Sequence, residues 1–276
     1  MAPIHKVAVI QLYPKPLDPE FNFNKAATFI RSAAKQGAEL AVLPEYHLTN
    51  WLPKDSKFIN VCAQWETYLR KYQDLAKECN ICIVPGSIGE YHPGEKEYES
   101  KLINVAYFID NKGEIIGKYV KKNLWHPERE HLTSSGHDAH EVFDTPLGKV
   151  GMLICWDLAF PEAFRELISQ GAKIIIIPTF CDGPFIGPLT RLGSAAEGMS
   201  VVDLDLGILE DAEENYGVRK DLAREDWHYV GYLCIANKQE KQEPNEAKKT
   251  TLSLRFDPMQ SNPYRHVFYE KETIVS

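Results

Sequence analysis

A chain of 276 residues, 44% hydrophobic and 25% charged, is long enough to bury the core of one large domain and does not require two. Its formal net charge of −8 argues against a nucleic-acid or anionic-membrane partner, because such surfaces are held by concentrated Lys and Arg. No apolar run reaches the length of a membrane span and no signal-like segment precedes the first strand, so a cytoplasmic protein acting on a small molecule is expected.

Val7 to Leu12 is mostly apolar and reads as a core strand. The helix after it places Phe23, Ala26, Ala27, Ile30, Ala33 and Ala34 on one face and closes at Gly37. Leu40 to Leu43 is a second short strand that stops at Pro44-Glu45, and a polar, aromatic loop follows from Tyr46 to Lys57. A helix is expected over about 62–79, with Leu69, Tyr72 and Leu75 at helical spacing, leading into a strand from Ile81 to Val84. Leu102 to Asp110 and Glu114 to Tyr119 flank the turn Asn111-Lys-Gly113 as a hairpin; Glu141 to Phe143 and Val150 to Cys155 flank Thr145-Pro-Leu-Gly148 as another. Pro161 to Gln170 is a helix closed by Gly171, and Ile174 to Ile177 is the next buried strand. Cys181 to Ser194 is rich in Gly and Pro, Ser200 to Leu206 reads as a strand, and Gly207 to Asn215 as a short acidic helix. The charged run 238–249 reads as a solvated linker or tail. Helices and strands alternating with hairpins imply an α/β fold with a mixed sheet, one face of which must still find a partner.

Three segments end an apolar run on a reactive side chain: Glu45 in Leu43-Pro-Glu-Tyr46, Lys121 in the stretch Gly117 to Trp125, and Cys155 in Ile154-Cys-Trp-Asp157. A packed strand fixes the Cα of its last residue, and the turn after it opens the side chain to a substrate. Each residue alone has a plain reading, as a small buried thiol, a helix cap or a solvated lysine pair; it is their coincidence that points to chemistry. In these segments the chain resembles the nitrilase superfamily of carbon-nitrogen hydrolases, whose signatures surround a Glu, a Lys and a Cys in this order. Val142 to Glu162 looks like that family's nucleophile region nearly throughout, and the likeness runs from about Lys6 to Thr179.

The resemblance implies an α-β-β-α sandwich over 1–229 that forms a homo-oligomer through helices. It also implies that Cys155 attacks an amide, carbamoyl or nitrile carbon, giving a thioester or thioimidate that water cleaves with loss of ammonia or amine. Glu45 would then be the general base, while Lys121 would stabilise the oxyanion and lower the pKa of the thiol. The family's second glutamate falls on Glu128, with Glu130 as the alternative, and the family usually has His where Asn123 stands. Asp157 and Phe160-Pro-Glu162 resemble the amidase and carbamoylase branches, so a small amide or N-carbamoyl substrate is expected, with a nitrile as the alternative. Tyr46, Trp51, Trp125 and Trp156 are candidate substrate-binding aromatics.

No cofactor or metal is expected: His126, His131, His137 and His140 fit no zinc spacing and read as loop and rim residues. Cys79-Asn-Ile-Cys82 has the spacing of a redox or zinc half-site, but no second pair follows, and six scattered cysteines suit free thiols. Family domains continue past the Pro178-Thr179 segment with a further helix and strand. Here the chain passes within a few residues to Gly187-Pro-Leu-Thr-Arg191, so the sandwich reads as lacking an internal helix-strand unit after Thr179, near 180–187. That loss admits a second reading, a catalytically silent, truncated family member. Residues 230–276 have no counterpart and remain an unassigned polar tail.

Overall fold

The apolar run at the start of the chain forms β1 (Ile4–Gln11), and its two faces serve different layers. Ala8 and Ile10 pack toward helices, whereas Val7 points into a second apolar cluster. The computed structural model describes residues 2–180 and 197–216, all within the compact unit Met1–Arg224. The inferred loss near 180–187 and the tail 230–276 lie outside the described residues.

Helix α1 (Pro19–Lys35) starts where the Asp18 carboxylate accepts the Phe21 N–H and a proline occupies the first turn. Its alanines, Ala26, Ala27 and Ala33, are buried and bring it close to the sheet. The helix expected over 62–79 is two: α2 (Phe58–Cys62) and α3 (Trp65–Cys79), separated by a bend at Ala63 and Gln64. Asn80 ends α3 in the left-handed conformation, with φ 50°. These helices connect β1 to the parallel strands β2 (Leu40–Val42) and β3 (Cys82–Val84).

Strand β4 (Ser87–His92) escapes the sequence reading because Ser-Ile-Gly-Glu-Tyr-His has no apolar run, yet Ser87 to Glu90 are buried. The Glu90 carboxylate accepts the Tyr107 hydroxyl and lies 3.0 Å from His92 Nε2, which makes its burial tolerable. β4 pairs with β5 (Lys101–Ile109), and β5 returns through Asp110–Gly113 into β6 (Ile115–Val120). The second sheet is smaller: β7 (Val142–Thr145), β8 (Gly148–Met152) and β9 (Ile174–Ile176), with α4 (Pro161–Ser169) between the last two. Gly151 lets α4 close on this sheet, since a Cβ there would stand 2.8 Å from the Leu167 side chain. β10 (Gly198–Asp205) returns antiparallel along the whole of β1, and α5 (Gly207–Tyr216) follows.

The large sheet has the order β10-β1-β2-β3-β5-β4 with β6 beside β5; the small one is β7-β8-β9. One core lies between α1, α3 and the large sheet, and the other joins the large sheet to the small sheet and α4. The architecture is therefore an α-β-β-α sandwich. Three strands cover only part of the larger inner face: Val9 and Val202, on the same side as buried Val7, are 54% and 49% exposed.

Candidate active site

β2 stops at Val42, and the chain turns under Gly86 before placing Glu45 in the interior. Gly86 has φ 60°, and a Cβ on it would lie 1.9 Å from the Pro44 carbonyl oxygen. Gly86→Ala is therefore expected to push the Pro44-Glu45 peptide aside and destabilise the fold by about 2–3 kcal/mol, read by urea denaturation. Tyr46, with φ 52°, completes the turn. Glu45 is buried, and Oε1 accepts from Lys121 Nζ and Asn104 Nδ2, each at 2.9 Å. Its Oε2 accepts the Phe180 N–H at 2.9 Å.

Lys121 directly follows β6, tied back by its N–H to the Asn104 carbonyl at 2.9 Å. Its ammonium is buried between two carboxylates, 2.9 Å from Glu45 and 2.8 Å from Glu128. Glu128 sits in a single 3-10 turn, His126–Glu128, and also accepts the Tyr46 hydroxyl at 2.5 Å and the Trp125 N–H at 2.8 Å. Glu130 is exposed instead, lining a surface cavity of about 360 Å³ with Trp51 and His131.

Cys155 is not the last residue of a strand. β8 ends at Met152; Leu153 and Ile154 are buried but outside its ladder, and Cys155 opens a short 3-10 turn with φ 44°. Such a left-handed, non-glycine residue is strained and persists because its neighbours are held. Its own N–H is bonded to the Pro178 carbonyl at 2.9 Å, and the Ile154 N–H to Asp157 at 3.0 Å. The sulfur lies 3.5 Å from the Phe180 carbonyl and within hydrogen-bonding reach of Glu45.

Burial sets the protonation of this cluster. It raises the Glu45 pKa, against the pull of Lys121, and Glu128 adds to the rise. Burial works against charge on Lys121, but Glu45 and Glu128 outweigh it and raise the lysine. Burial first and the Glu45 charge second raise the Cys155 thiol; Lys121 pulls it down, but not enough to reverse the sign. The lysine therefore does not yield a net lowered thiol, and the sulfur rests protonated.

Among the expected aromatics, Tyr46 is buried with its hydroxyl committed to Glu128, and Trp51 packs against it at a tilt, with ring centroids 5.0 Å apart. Trp125 is half-buried, and Trp156, beside the sulfur in sequence, is 40% exposed. His140 is no rim residue: it is buried and stacked on Tyr119 at 5.5 Å. Cys62, Cys79, Cys82 and Cys155 are free thiols, with burial lifting Cys82 to about 11. Asn104 and the Phe180 N–H escaped the sequence reading, as did the bonds of Asp157 to Tyr119, Asn123 and Ile154. The signal for Asn104 was available, since it is the one amide in the otherwise apolar Leu102 to Ile109.

The family described as Carbon-nitrogen hydrolase matches residues 6–206. The chain is 35% identical over 179 residues to a Nitrilase of Pyrococcus abyssi, covering 63% of this chain and 64% of that one. It is 33% identical over 193 residues to Deaminated glutathione amidase of Bos taurus, covering 66% of this chain and 57% of that one. It thus spans less than two thirds of the length of these relatives. The solved carbon-nitrogen hydrolase from Helicobacter pylori G27 shares the fold, with a TM-score of 0.70 over 84% of this chain and 98% of that one at 18% identity. With most of its length matched to the family and its sandwich shared with a solved example, the chain belongs to the carbon-nitrogen hydrolase family.

Proposed function

We propose that this protein hydrolyses a non-peptide carbon-nitrogen bond in a small amide or N-carbamoyl compound through a thioester on Cys155. The observation that carries the reading is the convergence of a buried carboxylate, a buried ammonium and a protonated thiol held in a strained turn. As sulfur attacks the carbonyl carbon, the S–H bond breaks and Glu45 takes the proton, while the carbonyl electrons move onto oxygen. The Lys121 ammonium stabilises that oxyanion. Collapse re-forms the carbonyl and expels the amine, which takes the proton from Glu45. Water then gives a proton to Glu45 and attacks the thioester carbon, and a second collapse releases the acid and returns the proton to sulfur. Glu128 holds the lysine in place, and the half-buried Trp125 and exposed Trp156 offer apolar contacts to the substituent. Cys-Trp-Asp at the nucleophile and the amidase name of the Bos taurus relative favour amides over nitriles.

Ammonia release over a panel of amides, N-carbamoyl amines and nitriles tests the reading, with intact-mass detection of an acyl adduct on Cys155. Silence on every class, or an adduct elsewhere, overturns it; turnover of nitriles alone replaces it with a nitrilase. Free thiols suit a reducing compartment, taken here as the cytosol.

The raised Glu45 pKa fixes a sign. The acid limb of kcat/KM is expected at a midpoint above 4.5, the ordinary value for a glutamate, because turnover needs the carboxylate. The fold favours the neutral form, so the stability Glu45 contributes is present below 4.5 and lost as pH rises through its folded value. Glu45→Gln is thus expected to lose about 10²–10⁴-fold in kcat. Its melting temperature at neutral pH should equal or exceed that of the parent, as a thermal melt would show.

A further inference from the structure

Asp157 is fully buried, and its carboxylate is filled by four donors. Oδ2 accepts the Tyr119 hydroxyl at 2.8 Å and the Ile154 N–H at 3.0 Å; Oδ1 accepts the Asn123 N–H at 2.8 Å and the Asn123 side-chain amide at 2.9 Å. Tyr119 and Asn123 stand two residues before and two residues after Lys121, and Ile154 immediately precedes Cys155. One carboxylate therefore grips the chain on both sides of the lysine and ties it to the turn that carries the sulfur.

The tie matters because no strand ladder supplies it. β6, which leads to Lys121, belongs to the seven-stranded sheet, and β8, which leads to Cys155, to the three-stranded one. Two sheets meeting through apolar side chains slide more easily than paired strands, since dispersion contacts have no direction. A buried carboxylate with its acceptor sites filled has one low-energy arrangement, and any slip leaves polar groups unpaired. The ring of His140 stacked on Tyr119 holds that grip from the other side.

We infer that Asp157 is a positioning residue that sets the distance between Lys121 and Cys155 across the two sheets, with Tyr119 and Asn123 as its grips. The inference rests on the hydrolysis proposed above. Asp157 acts through the two reacting groups and does not touch the substrate carbon.

The test compares the full chain with Asp157→Asn, Tyr119→Phe and the double variant. Three quantities are read: kcat and KM per titratable thiol, the rate of Cys155 alkylation by iodoacetamide located by peptide mass spectrometry, and the thermal melt. An asparagine keeps the shape but has one accepting oxygen in place of two. Misplacement of a reacting group by about 1 Å costs about 10²-fold, so Asp157→Asn is expected to lose about 10²-fold in kcat with KM within about 3-fold. Its alkylation should slow about 10-fold, and Tyr119→Phe should lose about 10-fold in kcat, with the double variant no worse than Asp157→Asn. A cooperatively melting Asp157→Asn with kcat and alkylation within about 3-fold of the parent overturns the inference, since a merely structural role lowers only the melt. If Asp157→Asn does not fold, Tyr119→Phe decides on the same readouts. A parent that turns over no substrate sinks the hydrolase reading instead, and the alkylation rates then decide this one: slowing supports it, equality overturns it.

Discussion

Lys121→Met is expected to lose both stability and turnover. The ammonium lies 2.9 Å from Glu45 and 2.8 Å from Glu128, and all three groups are buried. Methionine fills a similar volume but leaves two carboxylates in the interior with no countercharge. Breaking a buried ion pair from one side costs about 3–5 kcal/mol, a large share of the about 5–15 kcal/mol a domain has. Loss of the oxyanion donor proposed above is expected to remove a further 10²–10³-fold or so from kcat in whatever remains folded. The parent lysine is raised by the two carboxylates, after burial has worked against its charge. Its contribution is therefore complete below 10.5 and lost as pH rises through the higher folded value. In the variant Glu45 loses the pull of Lys121 and favours protonation more strongly, so the deficit should shrink from about pH 8 to about pH 5. Adding Glu128→Gln should recover stability without recovering turnover, because it removes one stranded charge but supplies no cation. Urea unfolding of the single and double variants measures this. A single variant within about 1 kcal/mol of the parent contradicts the charge count.

Cys155→Ala is expected to abolish ammonia release, by about 10⁴-fold or more, while leaving the fold intact. The sulfur has a long contact at 3.5 Å to the Phe180 carbonyl and its reach toward Glu45, so truncating it removes little packing. Alanine at φ 44° is about as strained as cysteine there, so the melts compare like with like. The substitution also leaves the Glu45, Lys121 and Glu128 contacts in place, which separates chemistry from assembly. Cys79→Ala and Cys82→Ala serve as controls and should keep full turnover. Ammonia release by Cys155→Ala within about tenfold of the parent would mean that another group attacks the substrate.

Element types were mostly legible where apolar residues fall on one face. The alanine stripe of α1 and the run Leu102 to Ile109 announce buried surfaces, and periodicity is a record of which faces leave water. β4 failed that test because Glu90 is polar yet buried, and it is made tolerable by the Tyr107 hydroxyl from the neighbouring strand and by His92 two residues on. The stretch Leu153-Ile154 failed in the opposite way. Both residues are fully buried and read as strand, yet the ladder has already ended, since apolarity reports burial and not pairing. Resemblance placed the second glutamate on Glu128 and left Glu130 as the alternative; the 3-10 turn that buries one and exposes the other depends on Tyr46 and Lys121 arriving from elsewhere.

The amino-acid sequence by itself determined the α/β class, most of the elements apart from β4, and the three segments in which reactive side chains follow apolar runs. These follow from local pattern, because a residue's neighbours in the chain dictate which face it joins. Only the tertiary structure decided that Glu45 and Lys121, 76 residues apart, share a hydrogen bond, that the thiol rests protonated, and that Asp157 ties the two sheets together. Those outcomes depend on burial and on distances between segments remote in the chain, and neither quantity is written in any local stretch of residues.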